Sequence, residues 1–415
     1  MLRTAGQPVE YLYIHVPFCA SKCEYCAFYS EASNGELINR YVAALVRELE
    51  LTASLCRPQG IFFGGGTPSL LNCRQWETVL QAMHRLGLDG AMEWTVECNP
   101  ATVSADKARL LREHGVNRIS MGVQSLDEAL LDRLGRIHSR QQVFQSFDIL
   151  RGAGFENINL DLMFAIPGQT MEVWQRTLDE AIALGTEHLS CYEVIYEEDT
   201  PLFQQLQAGE FDVDEDLACD MYEALRDRTG EAGFVQYEVA NFAKRTKPIG
   251  VMESRSRGAK DNSWLATLPP HHSLPSRACR HNVNYWRGGE YLGLGPSAAE
   301  FVNGVRTKNW PNTRLYCDQL EKGRRAIESR DELPPLARAG EIAAFGLRMN
   351  VGWCFDEFRS VTGFDLREHW AGEMESLVAE GFAERDERGF RLTRRGLRFA
   401  DLAGERVLKT EIAIA

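Results

Sequence analysis

Residues 11–30 read YLYIHVPFCASKCEYCAFYS. The first six alternate as a strand with one buried face does, and Pro17 then breaks the pattern into a short loop that holds Cys19, Cys23 and Cys26. Three thiols crowded into eight residues are not explained as buried hydrophobes. Zinc usually takes four ligands, paired as CxxC with a second pair further on, and no matching second pair is present. An iron–sulfur cluster held by only three protein thiolates leaves one iron open for an exchangeable ligand, as a cluster that reacts with a small molecule requires. The segment therefore reads as a first strand followed by a cluster loop.

Working outward, strand-like apolar segments at 60–63, 92–97, 118–122, 157–163 and 188–194 alternate with amphipathic stretches at 37–54, 74–86, 105–113, 141–153 and 171–184. Six strand–helix units predict a parallel sheet, because parallel strands need crossover connections. Six are too few to close the usual eight-stranded barrel. The expected fold is α/β, a partial (β/α)6 TIM-like barrel occupying residues 1–243, with its working face at the C-terminal strand ends.

After a further helix around 217–229 the period breaks. Segment 244–280 carries eight Lys or Arg against two acids and holds Pro269, Pro270 and Pro275, so 244–278 reads as a basic inserted loop. In 279–330 the aromatics, the glycines and the run VNGV at 302–305 predict hairpin strands that complete the core. Residues 331–415 read as helices with a short hairpin, 382–384 and 389–392, which is a small helical domain like a winged helix. That shape invites a DNA-binding regulator, but acids and bases mix there without a basic stripe, and a fold-level analogy carries no function.

The composition agrees with an ordinary globular protein: 44% apolar residues, and 46 − 59 = −13 in formal charge over 415 residues. Such a balance argues against a general nucleic-acid surface. The first residues show no secretion signal, and nowhere do eighteen uncharged apolar residues run together, so the expectation is a cytoplasmic chain without a membrane span, at most in peripheral membrane contact. In a reducing compartment the eight scattered cysteines, Cys56, Cys73, Cys98, Cys191, Cys219, Cys279, Cys317 and Cys354, read as small buried hydrophobes.

Further candidates sit at the predicted strand ends. Gly64, Gly65, Gly66, Thr67 and Pro68 follow the second strand, where backbone without Cβ atoms lets a ligand approach closely. Glu97 ends the third, Gln124 follows the fourth, Arg136 lies in LGRIHS, and Asp161 stands inside an apolar fifth strand, where an unpaired charge would cost several kcal/mol.

The CxxxCxxC spacing, Tyr25 before the third cysteine and the GGGTP run resemble the radical S-adenosylmethionine superfamily. The resemblance implies a 4Fe-4S cluster on Cys19, Cys23 and Cys26 whose open iron takes the methionine moiety of S-adenosylmethionine, and whose electron splits the C–S bond to give a 5′-deoxyadenosyl radical. By the same resemblance Tyr13, Tyr25, Gly65, Gly66, Thr67, Glu97, Gln124, Arg136 and Asp161 line that cofactor, with Ile195 a further position.

YIHVPFCxxKCxYC, FFGGGTPSLL, RISMGVQS, LGRIHS, NLDLMFAIPGQ, YEVANFA, CRHNxxYW and YLGLGP are similar to the oxygen-independent coproporphyrinogen dehydrogenase group, and within it to the HemW-type heme chaperones. The dehydrogenases carry a further cysteine two residues beyond the third, where this chain has Phe28, and residues 281–286 match the HNxxYW motif of the chaperones. The resemblance implies heme, or a porphyrin, as cargo bound through His281, a heme-acceptor protein and an electron donor. Imidazole is a good axial iron ligand, and Tyr285 and Trp286 are suited to pack on a porphyrin face. The alternative is oxidative decarboxylation of coproporphyrinogen III propionates. Two departures stand out: the basic insertion between Ala243 and Cys279, and Ala299 where the family has a histidine.

Overall fold

A computed structural model describes residues 7–32, 34–245 and 274–408. The central part of the inserted loop expected at 244–278 lies outside the described residues.

The strand Val9–Val16 pairs in parallel with Cys56–Gly65, and Glu93–Cys98, Arg118–Gln124, Ile158–Phe164 and His188–Glu193 follow in chain order, each parallel to the one before. Helices Gly35–Thr52, Cys73–Arg85, Ala105–Glu113, Arg140–Gly152 and Met171–Ala183 make the crossovers. Local chemistry starts them where the sequence asks. Asn72 and Ser139 each form a capping box with the glutamine three residues on, satisfying N–H groups that a helix start leaves open.

The expected six strands are the middle of a nine-stranded sheet. Leu292–Leu294 adds in parallel beside Val9–Val16, and Asn241–Lys244 and Phe234–Gln236 add antiparallel at the far side. Among the described residues nothing pairs the two outer strands, so the barrel stays open. The hairpin expected around 302–305 forms between Ala299–Val302 and Val305–Asn309, with Asn303 and Gly304 both at positive φ, as a tight hairpin turn needs. The run before it differs from the expectation: Arg280–Trp286 is a helix. Its aromatics, read as strand residues, are spaced to pack on a neighbouring helix instead.

Alternation along the strands divides the residues into two sets. Leu12, Ile14, Ile61, Phe63, Trp94, Val96, Ile119, Met121, Leu160, Leu162 and Leu189 all belong to the apolar core that runs under the helices. Each such side chain contributes about 1.5–3 kcal/mol on burial. The residues between them, among them Tyr13, Phe62, Glu97, Arg118, Ser120, Asn159, Asp161 and His188, face the barrel interior. Apolar to the helices and polar to the inside is the pattern of a barrel built around a site.

Residues 335–408 form a second core around Trp353, Phe358, Trp370 and Phe390, from six helices plus a small sheet of Trp353–Cys354, Gly389–Leu392 and Ala383–Arg385. Arg394 fastens this part to the barrel through Glu223 and Asp227 of helix Glu215–Glu231. No helix among the described residues is long and apolar enough to cross a membrane.

Candidate functional site

The cysteine loop leaves the end of the first strand and is held on two sides. On one side the glycine loop reaches it: Gly66 N–H donates to Val16 O at 2.8 Å and Thr67 N–H to Phe18 O at 2.7 Å. A Cβ on Gly66 would meet Phe18 O at 2.7 Å and both Phe18 N and Val16 O at 2.9 Å, so only glycine lets the loops approach this closely. Gly65 has φ +104°, a conformation that favours glycine, and its Cβ position is filled by the His15 ring. On the other side Glu24 N–H donates to Leu134 O at 3.0 Å, and Leu202 N–H to Glu24 O at 2.9 Å.

The three thiols are partly exposed. Thr67 Oγ1 donates toward Cys19 Sγ at 3.6 Å, and Arg136 Nη1 donates to Cys23 Sγ at 3.3 Å. Burial pushes the Cys26 thiol above its ordinary value. Among the described residues no three His, Cys, Asp or Glu side chains converge as ligands of a single ion would. A four-iron cluster asks for less, because each thiolate binds a different iron. The donor set fits such a cluster: three sulfurs on one loop, two of them already receiving hydrogen bonds of the kind that tune metal-bound thiolates. Arg136 has a further buried donor, Nε, without a partner, beside Tyr25 and these sulfurs.

The carboxylates come from strand interiors. Glu97 accepts from the Gly65 backbone, and burial, with the nearby Asp161 as second cause, pushes it up to about 8. Asp161 accepts from Asn159 Nδ2 at 2.6 Å and from the Ser120 hydroxyl at 3.3 Å, and burial raises it too. Arg118 is the cation already acting on both carboxyls, and a ligand carrying an ammonium or sulfonium group would add a second. Gln124 has φ +66° where the fourth strand shifts register against the fifth, and Tyr192 Oη donates to its Oε1 at 2.8 Å. Strain of this kind re-aims a side chain at a strand end.

The structure thus gathers Cys19, Cys23, Cys26, Gly65, Gly66, Thr67, Glu97, Gln124, Arg136 and Asp161 at one end of the barrel, with Tyr25 packed against the neighbouring Leu130, Leu134 and Met163. Tyr13 faces the same interior, its hydroxyl 3.0 Å from His15 Nδ1. Ile195 lies past the last parallel strand and is 66% exposed, and Phe28 is 69% exposed. Ser120, Asn159 and Tyr192 also contribute and were not singled out from sequence. Each occupies the inward phase of its strand.

The HNxxYW helix approaches from the opposite strand ends. Glu93 and Arg118, the first residues of their strands, face its start: Arg280 N–H donates to Glu93 Oε1 at 2.8 Å, and Cys279 Sγ lies 3.5 Å from the same oxygen. His281 projects into the barrel, its ring 5.0 Å from that of Phe62 and stacked 6.0 Å from that of Tyr13. Among the described residues its Nδ1 is buried without a partner, and burial, aided by Arg118, pushes its pKa down to about 4. It is a neutral imidazole with a free nitrogen, as an iron ligand must be. Tyr285 stacks on Phe345 at 5.5 Å and Trp286 packs edge-on to both rings, so the two aromatics, each partly exposed, pack on the C-terminal domain.

Residues 13–181 match the family described as the Radical SAM superfamily, and residues 333–399 match the HemN C-terminal domain. The heme chaperone HemW of Bacillus subtilis is 32% identical over 390 residues, covering 92% of this chain and 95% of that protein. HemW of Lactococcus lactis is 30% identical over 402 residues, covering 96% and 97%. The mouse mitochondrial radical S-adenosyl methionine domain-containing protein 1 is 32% identical, covering 94% and 85%. Among solved structures, coproporphyrinogen III oxidase (HemN) from Escherichia coli superposes with a TM-score of 0.78 over 99% of this chain and 92% of that one, at 19% identity, a likeness of fold.

Proposed function

The chain belongs to the radical S-adenosylmethionine proteins of the HemW group, and from that premise we propose that it binds heme and passes it to an acceptor protein. In this reading Cys19, Cys23 and Cys26 hold the 4Fe-4S cluster, Arg136 and Thr67 steady two of the sulfurs, and the carbonyl oxygens of Gly65 and Gly66, whose N–H groups are bonded to Glu97 and Val16, face the methionine end of S-adenosylmethionine. Glu97 and Asp161 face its positive charges, with Tyr13, Tyr25 and Gln124 completing the lining. When bound, the cluster supplies one electron to the adenosylmethionine. His281 is the proposed axial ligand to heme, and the electron donor and acceptor are separate proteins. The barrel, 1–243 with 279–330, would carry both sites, and 331–415 would brace the heme motif through Phe345.

One observation carries the reading. At the barrel's C-terminal strand ends three thiols meet a glycine cradle and two buried carboxyls, while from its other end a neutral histidine with an unused nitrogen enters the same interior. The exposed Phe28, in place of a fourth cysteine, supports delivery over coproporphyrinogen oxidation. The test is anaerobic reconstitution followed by hemin titration. Wild type is expected to bind iron and to shift the hemin spectrum, a Cys19/Cys23/Cys26→Ser variant to lose the iron, and His281→Ala to lose the shift. Protoporphyrinogen formed from coproporphyrinogen III would overturn delivery in favour of the oxidative activity.

A further inference from the structure

Inside the barrel a run of buried side chains joins the two ends of this site. Cys279 N–H donates to Tyr237 Oη at 3.1 Å. Tyr237 Oη lies 2.9 Å from His188 Nε2, and His188 Nδ1 lies 2.6 Å from Asn159 Oδ1. Asn159 Nδ2 in turn donates to Asp161 Oδ1 at 2.6 Å and to Ser120 Oγ at 2.7 Å. Tyr237, His188 and Asn159 are at most 1% exposed.

The direction of the run is determined at both ends. A backbone N–H only donates, so Tyr237 Oη accepts from Cys279. The Asp161 carboxylate accepts, so Asn159 turns its nitrogen there and its oxygen to His188. His188 therefore carries its proton on Nδ1 and accepts from the Tyr237 hydroxyl on Nε2. Every donor points from the start of the HNxxYW helix toward Asp161. Burial, with Arg118 nearby, keeps His188 neutral, as this arrangement needs. Because neither end can reverse, a shift at one end is not absorbed by turning a hydroxyl; it breaks a bond of the run.

We propose that Tyr237, His188 and Asn159 are positioning residues that hold the Asp161 carboxylate and tie it to the turn carrying His281, so that S-adenosylmethionine and heme alter each other's affinity. This rests on the placement of S-adenosylmethionine at Asp161 and of heme at His281 argued above. The experiment uses the cluster-loaded full chain under anaerobic conditions: S-adenosylmethionine is titrated calorimetrically with and without hemin, and hemin spectroscopically with and without S-adenosylmethionine. Wild type is expected to show a linkage of about fivefold or more, equal in both directions. Tyr237→Phe keeps the ring and removes the hydroxyl, leaving the His188–Asn159 bond in place; it should abolish the linkage. His188→Asn places an amide donor where Nδ1 stands, so it should lose the linkage and weaken S-adenosylmethionine less than His188→Gln, which loses the bond to Asn159 as well. A thermal melt of each variant separates these effects from loss of fold, and the wild-type linkage decides the matter should a variant fail to fold. An S-adenosylmethionine affinity within about twofold of wild type in His188→Gln, a linkage kept in Tyr237→Phe, or a wild type without linkage would overturn the proposal. Wild type that takes up no hemin would remove the heme reading instead, with the S-adenosylmethionine affinities still deciding whether the run holds Asp161.

Discussion

Replacing Gly66 by alanine tests whether the two loops of the site depend on each other. The added methyl would sit 2.7 Å from Phe18 O and 2.9 Å from both Phe18 N and Val16 O, all backbone atoms that cannot swing aside. Relief requires the loops to part by several tenths of an ångström, which stretches the Gly66 N–H···O Val16 and Thr67 N–H···O Phe18 bonds, now 2.8 and 2.7 Å. Overpacking costs about 1–3 kcal/mol and each of the two weakened hydrogen bonds about 0.5–1.5 kcal/mol, so a loss of about 2–6 kcal/mol is expected. Thr67 moves with the glycine loop, withdrawing its hydroxyl from Cys19 Sγ. The assay pairs a thermal melt with iron content after anaerobic reconstitution. Gly64→Ala is the control: its methyl would meet the ends of the Phe62 and Glu97 side chains at 3.0–3.1 Å, which can yield, so it should cost less than about 1.5 kcal/mol and keep its iron. A Gly66→Ala protein with the melt and iron content of wild type would refute the reasoning, because the contact holding the two loops would then be slack.

Three other variants probe separate parts of the site. Glu97 holds its proton up to about pH 8 when folded and only to the ordinary carboxylate range when unfolded, so between those limits the folded state binds the extra proton and stability falls as pH rises. Glu97→Gln removes that dependence: without ligand it should melt above wild type at pH 8–9, by an amount that shrinks as pH falls toward 4.5, by on the order of 1 kcal/mol per pH unit. His281→Phe keeps the ring packing on Phe62 and Tyr13 and removes a nitrogen without a partner, so it should melt within about 1 kcal/mol of wild type while losing the hemin spectrum. Tyr285→Ala removes a stacked ring between the barrel and Phe345; it should cost about 2–4 kcal/mol and make the C-terminal domain the first part released by limited proteolysis.

What was legible in the sequence and what was not follow from one property of strands. The outward phase, such as Leu12, Ile14 and Phe63, is apolar and marks a strand at once, and the loop chemistry after it, three thiols or three glycines, is too unusual to be structural filler. The strand order and the meeting of the thiol and glycine loops at one end were accordingly readable. The inward phase is polar, and Ser120, Asn159 and His188 look in sequence like the solvent-facing half of an amphipathic strand. Asp161 stood out only because a carboxylate is costly in such a place, while its partners are neutral and cost little to overlook. The HNxxYW run failed for the opposite reason. Its aromatics fit a strand by composition, and what makes them helical is the packing of Tyr285 and Trp286 on Phe345, about sixty residues further along the chain. An interior polar residue and an aromatic with a distant partner are both defined by what they face, and only the folded geometry of the open barrel shows that the two kinds meet, at Tyr237, along a single line of hydrogen bonds.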